Sequence, residues 1–265
     1  PVYEKENTFS KGVKPMSQLY KIARGEYIAL CEGDDYWTDA LKLQKQVGFL
    51  EENKDYIATY HDVLIIDEYN KERDAWKDSS LKIHNSYTHT PQDTENKISI
   101  GQTASLLYRN IWLTLPEKIL SEFNKCQSNG DLKLSALLLL TGKVFCFEQT
   151  MSVYRLITSF GDSWNARHAN KDMGVEMCQM LISVNHFSQK AFGKSLPYKK
   201  HRINIGKSGV IKAIKNPTIT NLTKMVQLLV LNRKYFLDII IATIKVIFWK
   251  IKEGKKLILK SNKNN

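Results

Sequence analysis

Hydrophobic positions along the first 190 residues fall into short strand-like runs separated by stretches with helical spacing. Pro15 opens a short helix through about Ala23, and Gly25 ends it. Glu26 to Cys31 is an apolar run rich in aromatic and β-branched side chains, which predicts a buried strand. It leads directly into Glu32-Gly33-Asp34-Asp35-Tyr36-Trp37. Thr38 is a good N-cap residue, and Leu43, Val47 and Leu50 follow at helical spacing up to Asn53. Tyr56 to Ile66 reads as a second strand, and the polar residues 67–97 as an insertion or long loop. A strand is predicted within Ile98 to Tyr108, a short helix over Pro116 to Phe123, a helix apolar on most faces over Asp131 to Leu140, and a strand over Lys143 to Tyr154. Residues 168–192 predict one long helix. Strands alternating with helices argue for an α/β layer fold in residues 1–190.

Residues 191–265 differ in character. They predict a helical, basic segment, densest in apolar residues over Tyr235 to Ile251 but interrupted by Asp238, Lys245 and Lys250. A membrane-spanning helix needs about 20 mostly apolar residues with few charges, so a span is not expected. Phe248 and Trp249 beside Lys250, Lys252, Lys255 and Lys256 instead suggest a helix lying in a membrane interface over residues 228–260. A helix packed on the rest of the protein is the alternative.

Charge sharpens this division. The formal net charge is +12, yet residues 189–265 hold 18 Lys/Arg and only two acids, whereas residues 1–188 hold 21 Lys/Arg and 25 acids. A mildly acidic body with a strongly basic end points to an anionic surface as partner. Charge alone supports only non-specific nucleic-acid binding, and no zinc finger or aromatic-interleaved RNA motif accompanies it. Specific nucleic-acid recognition is therefore not expected. Cys31, Cys126, Cys146 and Cys178 are scattered and form no CxxC pair, which fits buried thiols in a reducing compartment. The chain begins at Pro1 and shows no signal peptide, so the expectation is a C-terminal fragment of a longer protein.

Glu32-Gly33-Asp34-Asp35 carries the clearest chemistry. Carboxylates at the C-terminal end of a strand in an α/β fold lie where ligands commonly bind. Two adjacent aspartates repel, and one pKa should rise unless a cation intervenes. Oxygen-only ligation favours Mg²⁺ or Mn²⁺, which commonly bind through one or two carboxylates plus substrate phosphates. The alternative is an acidic turn that caps the Thr38 helix.

The segment Ala23-Arg24-Gly25-Glu26-Tyr27-Ile28-Ala29-Leu30-Cys31-Glu32-Gly33-Asp34-Asp35-Tyr36-Trp37, followed by Leu41-Lys42-Leu43-Gln44-Lys45-Gln46-Val47, resembles the middle of family 2 glycosyltransferases. That family carries A-x-G-E-Y-I-x-x-x-D/E-x-D-D as its DXD-type motif, and L-x-K-Q-V is typical of a bacterial subgroup acting on surface polysaccharides. Gly101-Gln102-Thr103-Ala104-Ser105 resembles the family's loop before the base helix, and Asn129-Gly130-Asp131-Leu132 the opening of that helix. Met151-Ser152-Val153-Tyr154-Arg155 and Gly161-Asp162-Ser163-Trp164 resemble its M-S-V-Y-R and G-x-S-W segments. The resemblance covers roughly residues 8–165. Two features depart from it: Ile157 stands where the family usually has His, and the family's first strand, T-Y-N turn and base-binding aspartate do not precede Pro1.

The resemblance implies a GT-A core lacking its first strands and an inverting transfer from a nucleotide-diphospho-sugar to a hydroxyl of a cell-surface glycan or lipid-linked oligosaccharide. It further implies Mn²⁺ or Mg²⁺ held by Asp35 and Asp34, and Asp131 as catalytic base. The substrate-binding residues would be Glu32, Gly33, Trp37, Gln102, Thr103 and Arg155. Trp37 would line the sugar site or serve as a packed aromatic, and Arg155 would meet phosphate or pair with an acidic residue. The fragment alone is expected to bind nucleotide poorly. The protein is expected in the cytoplasm, peripheral on the inner face of the cell membrane. A degenerate, non-catalytic binding module of the same fold is the competing expectation.

Overall fold

In a computed structural model, the described residues are 15–73, 82–159, 164–168 and 170–261. They fall into two compact units. One is drawn from the spans Pro1–Thr90, Ser99–Lys125 and Leu137–Ile157, and the other from Pro91–Ile98, Cys126–Ala136 and Thr158–Asn265. The chain is mixed α/β.

The first unit holds a mixed sheet. Its strands are β1 (Tyr27–Ala29), β2 (Tyr36–Trp37), β3 (Tyr56–Ile66), β4 (Tyr87–His89), β5 (Leu107–Arg109) and β6 (Lys143–Arg155). The order is β1-β5-β3-β6-β2, with β4 also pairing β6. Among these pairings only β3–β6 is parallel, and its register shifts between Tyr56 and Ala58 and around His61 and Asp62. β2 pairs antiparallel with the far end of β6 through Tyr36↔Val153 and Trp37↔Ser152. Ala58, Leu107, Tyr108, Val144, Cys146 and Met151 are almost completely buried between these strands and their helices. Phe49, in helix α2 (Lys42–Glu52), stacks on Phe145 at 4.2 Å and meets Tyr56 edge-on.

Helix α1 (Pro15–Ile22), α3 (Glu117–Lys125) and α4 (Gly130–Thr141) lie where the pattern predicts them. Several boundaries do not. Thr38 caps no helix: its N–H donates to the Met151 carbonyl at 3.0 Å, continuing the β2 pairing. Helix α2 (Lys42–Glu52) starts later, after Asp39 accepts the Leu41 N–H at 2.8 Å. Its buried face is Lys42, Gln46 and Leu50, while Leu43 is 41% exposed. The strand predicted over Glu26 to Cys31 is three residues long, although the Leu30 N–H still donates to Leu106. In Ile98 to Tyr108 a 3-10 turn at Thr103–Ser105 leaves only Leu107–Arg109 as strand. The predicted loop 67–97 contains β4. Gly161, Asp162 and Ser163 of the family-like segment lie outside the described residues.

The second unit is helical: α5 (Trp164–His168), α6 (Gly174–Phe192), α7 (Lys199–Lys215), α8 (Ile219–Leu231) and α9 (Phe236–Ser261). The helix predicted over 168–192 begins only at Gly174, where Asp172 accepts the Gly174 N–H at 3.1 Å, and α5 shares just His168 with the predicted range. Gly193, at φ 68°, takes the left-handed conformation that ends α6. Thr218 caps α8 by accepting the Asn221 N–H at 3.2 Å. Asn232 sits at the corner between α8 and α9, fully buried. Its Oδ1 accepts from Arg202 Nε at 2.8 Å, and Arg202 Nη2 donates to the Leu231 carbonyl at 2.6 Å. Among the described residues no helix is long and apolar enough to cross a membrane.

Candidate functional site

The Glu32–Asp35 turn forms because the chain must reverse between β1 and β2. The Asp35 N–H donates to the Glu32 carbonyl at 3.1 Å, leaving Gly33 and Asp34 exposed at the tip. Asp35 is drawn inward, only 8% exposed. Its Oδ1 accepts the Arg155 backbone N–H at 2.9 Å, at the end of β6. Its Oδ2 is buried with no hydrogen-bond partner. Neither aspartate caps a helix.

The Asp35 carboxyl is pushed up to about 6, chiefly by burial. The Arg155 N–H opposes this, the adjacent Asp34 charge adds to it, and the Gln102 amide and Arg155 guanidinium reduce it. The repulsion anticipated between the two aspartates is therefore present but secondary to desolvation.

Three neighbours fix the turn. Gln102 donates its amide to Glu32 Oε2 at 3.4 Å and accepts the Ala104 N–H at 2.6 Å, so one side chain ties the acidic turn to the loop before β5. Trp37 donates Nε1–H to the Ala104 carbonyl at 3.1 Å, leaving the ring 37% exposed. Arg155 donates Nε–H to the Asp34 carbonyl at 3.4 Å and Nη1–H to Asn70 Oδ1 at 2.6 Å. Asn70, at φ 61°, belongs to a tight turn after β3. Among the described residues Arg155 forms no ion pair with a carboxylate. Thr103 opens the 3-10 turn between Gln102 and Ala104 and is half-buried.

The structure thus gathers Glu32, Gly33, Asp34, Asp35, Trp37, Gln102, Thr103 and Arg155 in one unit. Asp131 belongs to the other. It lies exposed in the first turn of α4, where Asn129 Oδ1 accepts the Leu132 N–H at 3.2 Å. A carboxylate in a first helical turn is favoured by the helix dipole.

Lys42 is a member of this site that the sequence pattern hides. It is 1% exposed, donates to Gln46 Oε1 at 2.8 Å, and places its ammonium 4.3 Å from the Trp37 ring centroid. Burial lowers its pKa to about 8. Gln46 donates onward to Thr59 Oγ1 at 3.0 Å and to the Ser105 carbonyl at 2.9 Å, so the network passes from the Trp37 platform to β3 and the loop before β5. The available signal was position: 42, 46 and 50 recur at i, i+4 and i+8.

His61 is buried nearby in β3. Its Nδ1–H donates to the Asp62 carbonyl at 2.7 Å, and its Nε2 is buried without a partner. Burial holds the imidazole at about 4, with the Lys42 charge reinforcing and the Asp62 carbonyl opposing. The folded ring stays neutral where the unfolded one takes a proton. Stability conferred by this difference is present above pH 6.5 and lost as pH falls toward 4. The window corresponds to about 3 kcal/mol. Urea titrations between pH 7 and pH 4 are expected to show that loss, flattened in His61→Gln; an unchanged slope in the variant would contradict the assignment.

Among the described residues no group of three or more His, Cys, Asp or Glu side chains is placed to hold a metal. The residues present fit a hard cation in one way: the unpartnered Asp35 Oδ2, with Asp34 beside it, supplies one or two carboxylates, and the remaining ligands would be water and phosphate oxygens.

No protein-family model matches the sequence. Over 135 residues, half of this chain, it is 34% identical to proteins of Mycobacterium tuberculosis and Mycobacterium bovis that are described as uncharacterized. The match spans 35% of each relative, so this chain corresponds to about a third of the length of the curated proteins it resembles.

Proposed function

We propose that this chain contributes the acidic-turn half of a GT-A-type, family 2-like glycosyltransferase site. The site would transfer a sugar from a nucleotide-diphospho-sugar to an acceptor hydroxyl of a surface glycan or lipid-linked oligosaccharide, with inversion. The observation that carries this reading is Asp35: a buried carboxylate with one oxygen unpartnered, immediately before β2, next to an exposed Asp34 and beside Arg155.

In this reading Asp35 and Asp34 hold Mn²⁺ or Mg²⁺. A bound cation of this kind neutralises charge on a leaving diphosphate. Arg155, tied by its backbone and Nε to the turn, presents cationic surface to the phosphates. Glu32, oriented by Gln102, accepts from donor hydroxyls, and Gly33 leaves the turn open to close approach. Trp37, locked by Ala104 and underlain by Lys42, offers a flat apolar face to the sugar, with Thr103 on the neighbouring loop. Asp131 takes the acceptor O–H proton as that oxygen bonds to the anomeric carbon. The bond from that carbon to the diphosphate oxygen breaks on the opposite face, and the diphosphate leaves with the electron pair.

The test is thermal stability of the protein as its gene encodes it, with UDP, GDP and dTDP, each with and without Mn²⁺. A ligand at 100 times its Kd adds about 2.7 kcal/mol. A rise in Tm that requires both nucleotide and metal is expected. No rise with any pair would replace this reading with a non-catalytic binding module.

A further inference from the structure

Among the described residues, the helical unit carries two exposed apolar stripes. On α9, Leu237, Ile241, Ile244 and Phe248 recur at i, i+4, i+7 and i+11, and are 73%, 53%, 45% and 67% exposed. At roughly 100° per residue they lie within about 60° of arc. The opposite side of the same helix holds Ile239 and Thr243, both buried. On α8, Ile219, Leu222, Val226 and Val230 repeat the pattern at 85%, 41%, 54% and 64% exposure, opposite the buried Leu228. The α8 stripe begins at Ile219, ahead of the segment 228–260 that the sequence pattern marks.

Both helices pack on α7. A Cβ added to Gly206 of α7 would lie 2.5 Å from Ile239 of α9, and one added to Gly209 would lie 2.5 Å from Leu228 of α8. Positions 206 and 209 are i and i+3, on one side of α7. Both helices therefore seat their inner faces against the same side of α7, and both outer stripes turn away from it.

The charge pattern selects the occupant. Residues 233–260 hold eight Lys/Arg and two acids. Lys245 and Lys252 are exposed and flank the α9 stripe, Arg233 and Lys234 are exposed at the corner, and Trp249 is 61% exposed beside Phe248. Protein interfaces deplete lysine, and a second copy would set two strongly basic faces against each other. Apolar stripes with an aromatic pair and flanking lysines match the depth profile of an anionic bilayer surface: tails, then the interfacial belt, then headgroup phosphates.

We propose that the outer faces of α8 and α9 together form a docking surface for an anionic lipid bilayer, lying in its interface rather than crossing it. The proposal stands apart from the glycosyltransferase reading, since it rests on none of the residues of the acidic turn.

The test is co-sedimentation of the full chain with phosphatidylcholine vesicles and with vesicles containing roughly 30% phosphatidylglycerol, which carry a negative surface potential. Binding is expected on the anionic vesicles, weakened by salt, and at least roughly tenfold weaker on neutral ones. Val226→Asp with Val230→Asp, on α8 alone, and Ile241→Asp with Phe248→Asp, on α9 alone, are each expected to lower partitioning roughly tenfold or more. All four positions are exposed, so Tm measured alongside should hold and separates lost docking from lost folding. Equal binding to neutral vesicles, no binding at all, or an α8 variant that binds like the parent would overturn the proposal. So would sedimentation of the lipid-free chain as a dimer that either stripe variant dissociates, which would assign the faces to a second copy.

Discussion

Asp35→Asn is expected to raise the stability of the ligand-free protein at neutral pH while ending its response to nucleotide and Mn²⁺. The two effects have one origin. Folding lifts the Asp35 carboxyl from 3.8 to about 6, mainly by burial. A group raised on folding is no burden below its unfolded pKa, where both states are protonated. Its penalty grows as pH rises through the window from about 4 to about 6, and stays constant above it. At pH 7 that penalty is about 3 kcal/mol. The amide carries no charge to desolvate, and its oxygen still accepts the Arg155 N–H. Thermal melts from pH 4 to pH 8 should therefore show parent and variant converging at the acid end and diverging toward neutrality, with the variant higher. With nucleotide and Mn²⁺ present, only the parent should gain. A variant less stable than the parent at pH 7 would mean that the buried charge is compensated in a way its surroundings do not show.

Asp131→Asn is expected to lower turnover by about 10²–10⁴-fold while leaving the nucleotide- and metal-dependent rise in Tm nearly intact. The magnitude is that of a positioned general base, and the selectivity follows from location. Asp131 is exposed at the start of α4 and none of the contacts that hold the acidic turn involves it, so its loss should leave that turn intact. Removing its charge from the first turn costs only about 0.3–1 kcal/mol of helix stabilisation. Release of nucleoside diphosphate from nucleotide-sugar, in the presence of acceptor, measures the first quantity. Equal loss of turnover and donor response would move Asp131 from proton acceptor to donor binding.

What could be read from the sequence differs by element. Tyr56–Ile66 is a long run buried on both faces, and Lys143–Arg155 joins two largely buried stretches across the exposed Glu148, Gln149 and Thr150; such runs announce themselves. So does Gly130–Thr141, whose leucines surround the whole helix. Thr38 misled because capping propensity is local, whereas its N–H is claimed by Met151, far away in sequence. Leu43 is apolar yet lies on the exposed face of α2. The core instead admits Lys42 and Gln46, whose polar ends are satisfied by one another, by Thr59 and by Ser105. The turn Glu32–Asp35 was legible as chemistry from its acids. Its supports were legible only as types: that Gln102 reaches Glu32 and that Arg155 reaches Asn70 depends on pairings between strands distant in sequence.

The corner at Asn232 bears on how a surface can be ready before its partner arrives. Arg202 binds both the Asn232 side chain and the last carbonyl of α8, and its guanidinium lies 5.1 Å from the Tyr235 ring on the way into α9. The bend is thus written in directional bonds from a third helix, not left to contact between α8 and α9 themselves. Many peptides that settle on lipid are unstructured in water and spend part of their attraction on becoming helical. Here the helices and the angle between them are set during folding, so the ordering entropy is already lost in solution. Such a surface works as a rigid plate: its hold on a flat sheet of headgroups grows with the area it presents and carries no coupled-folding toll.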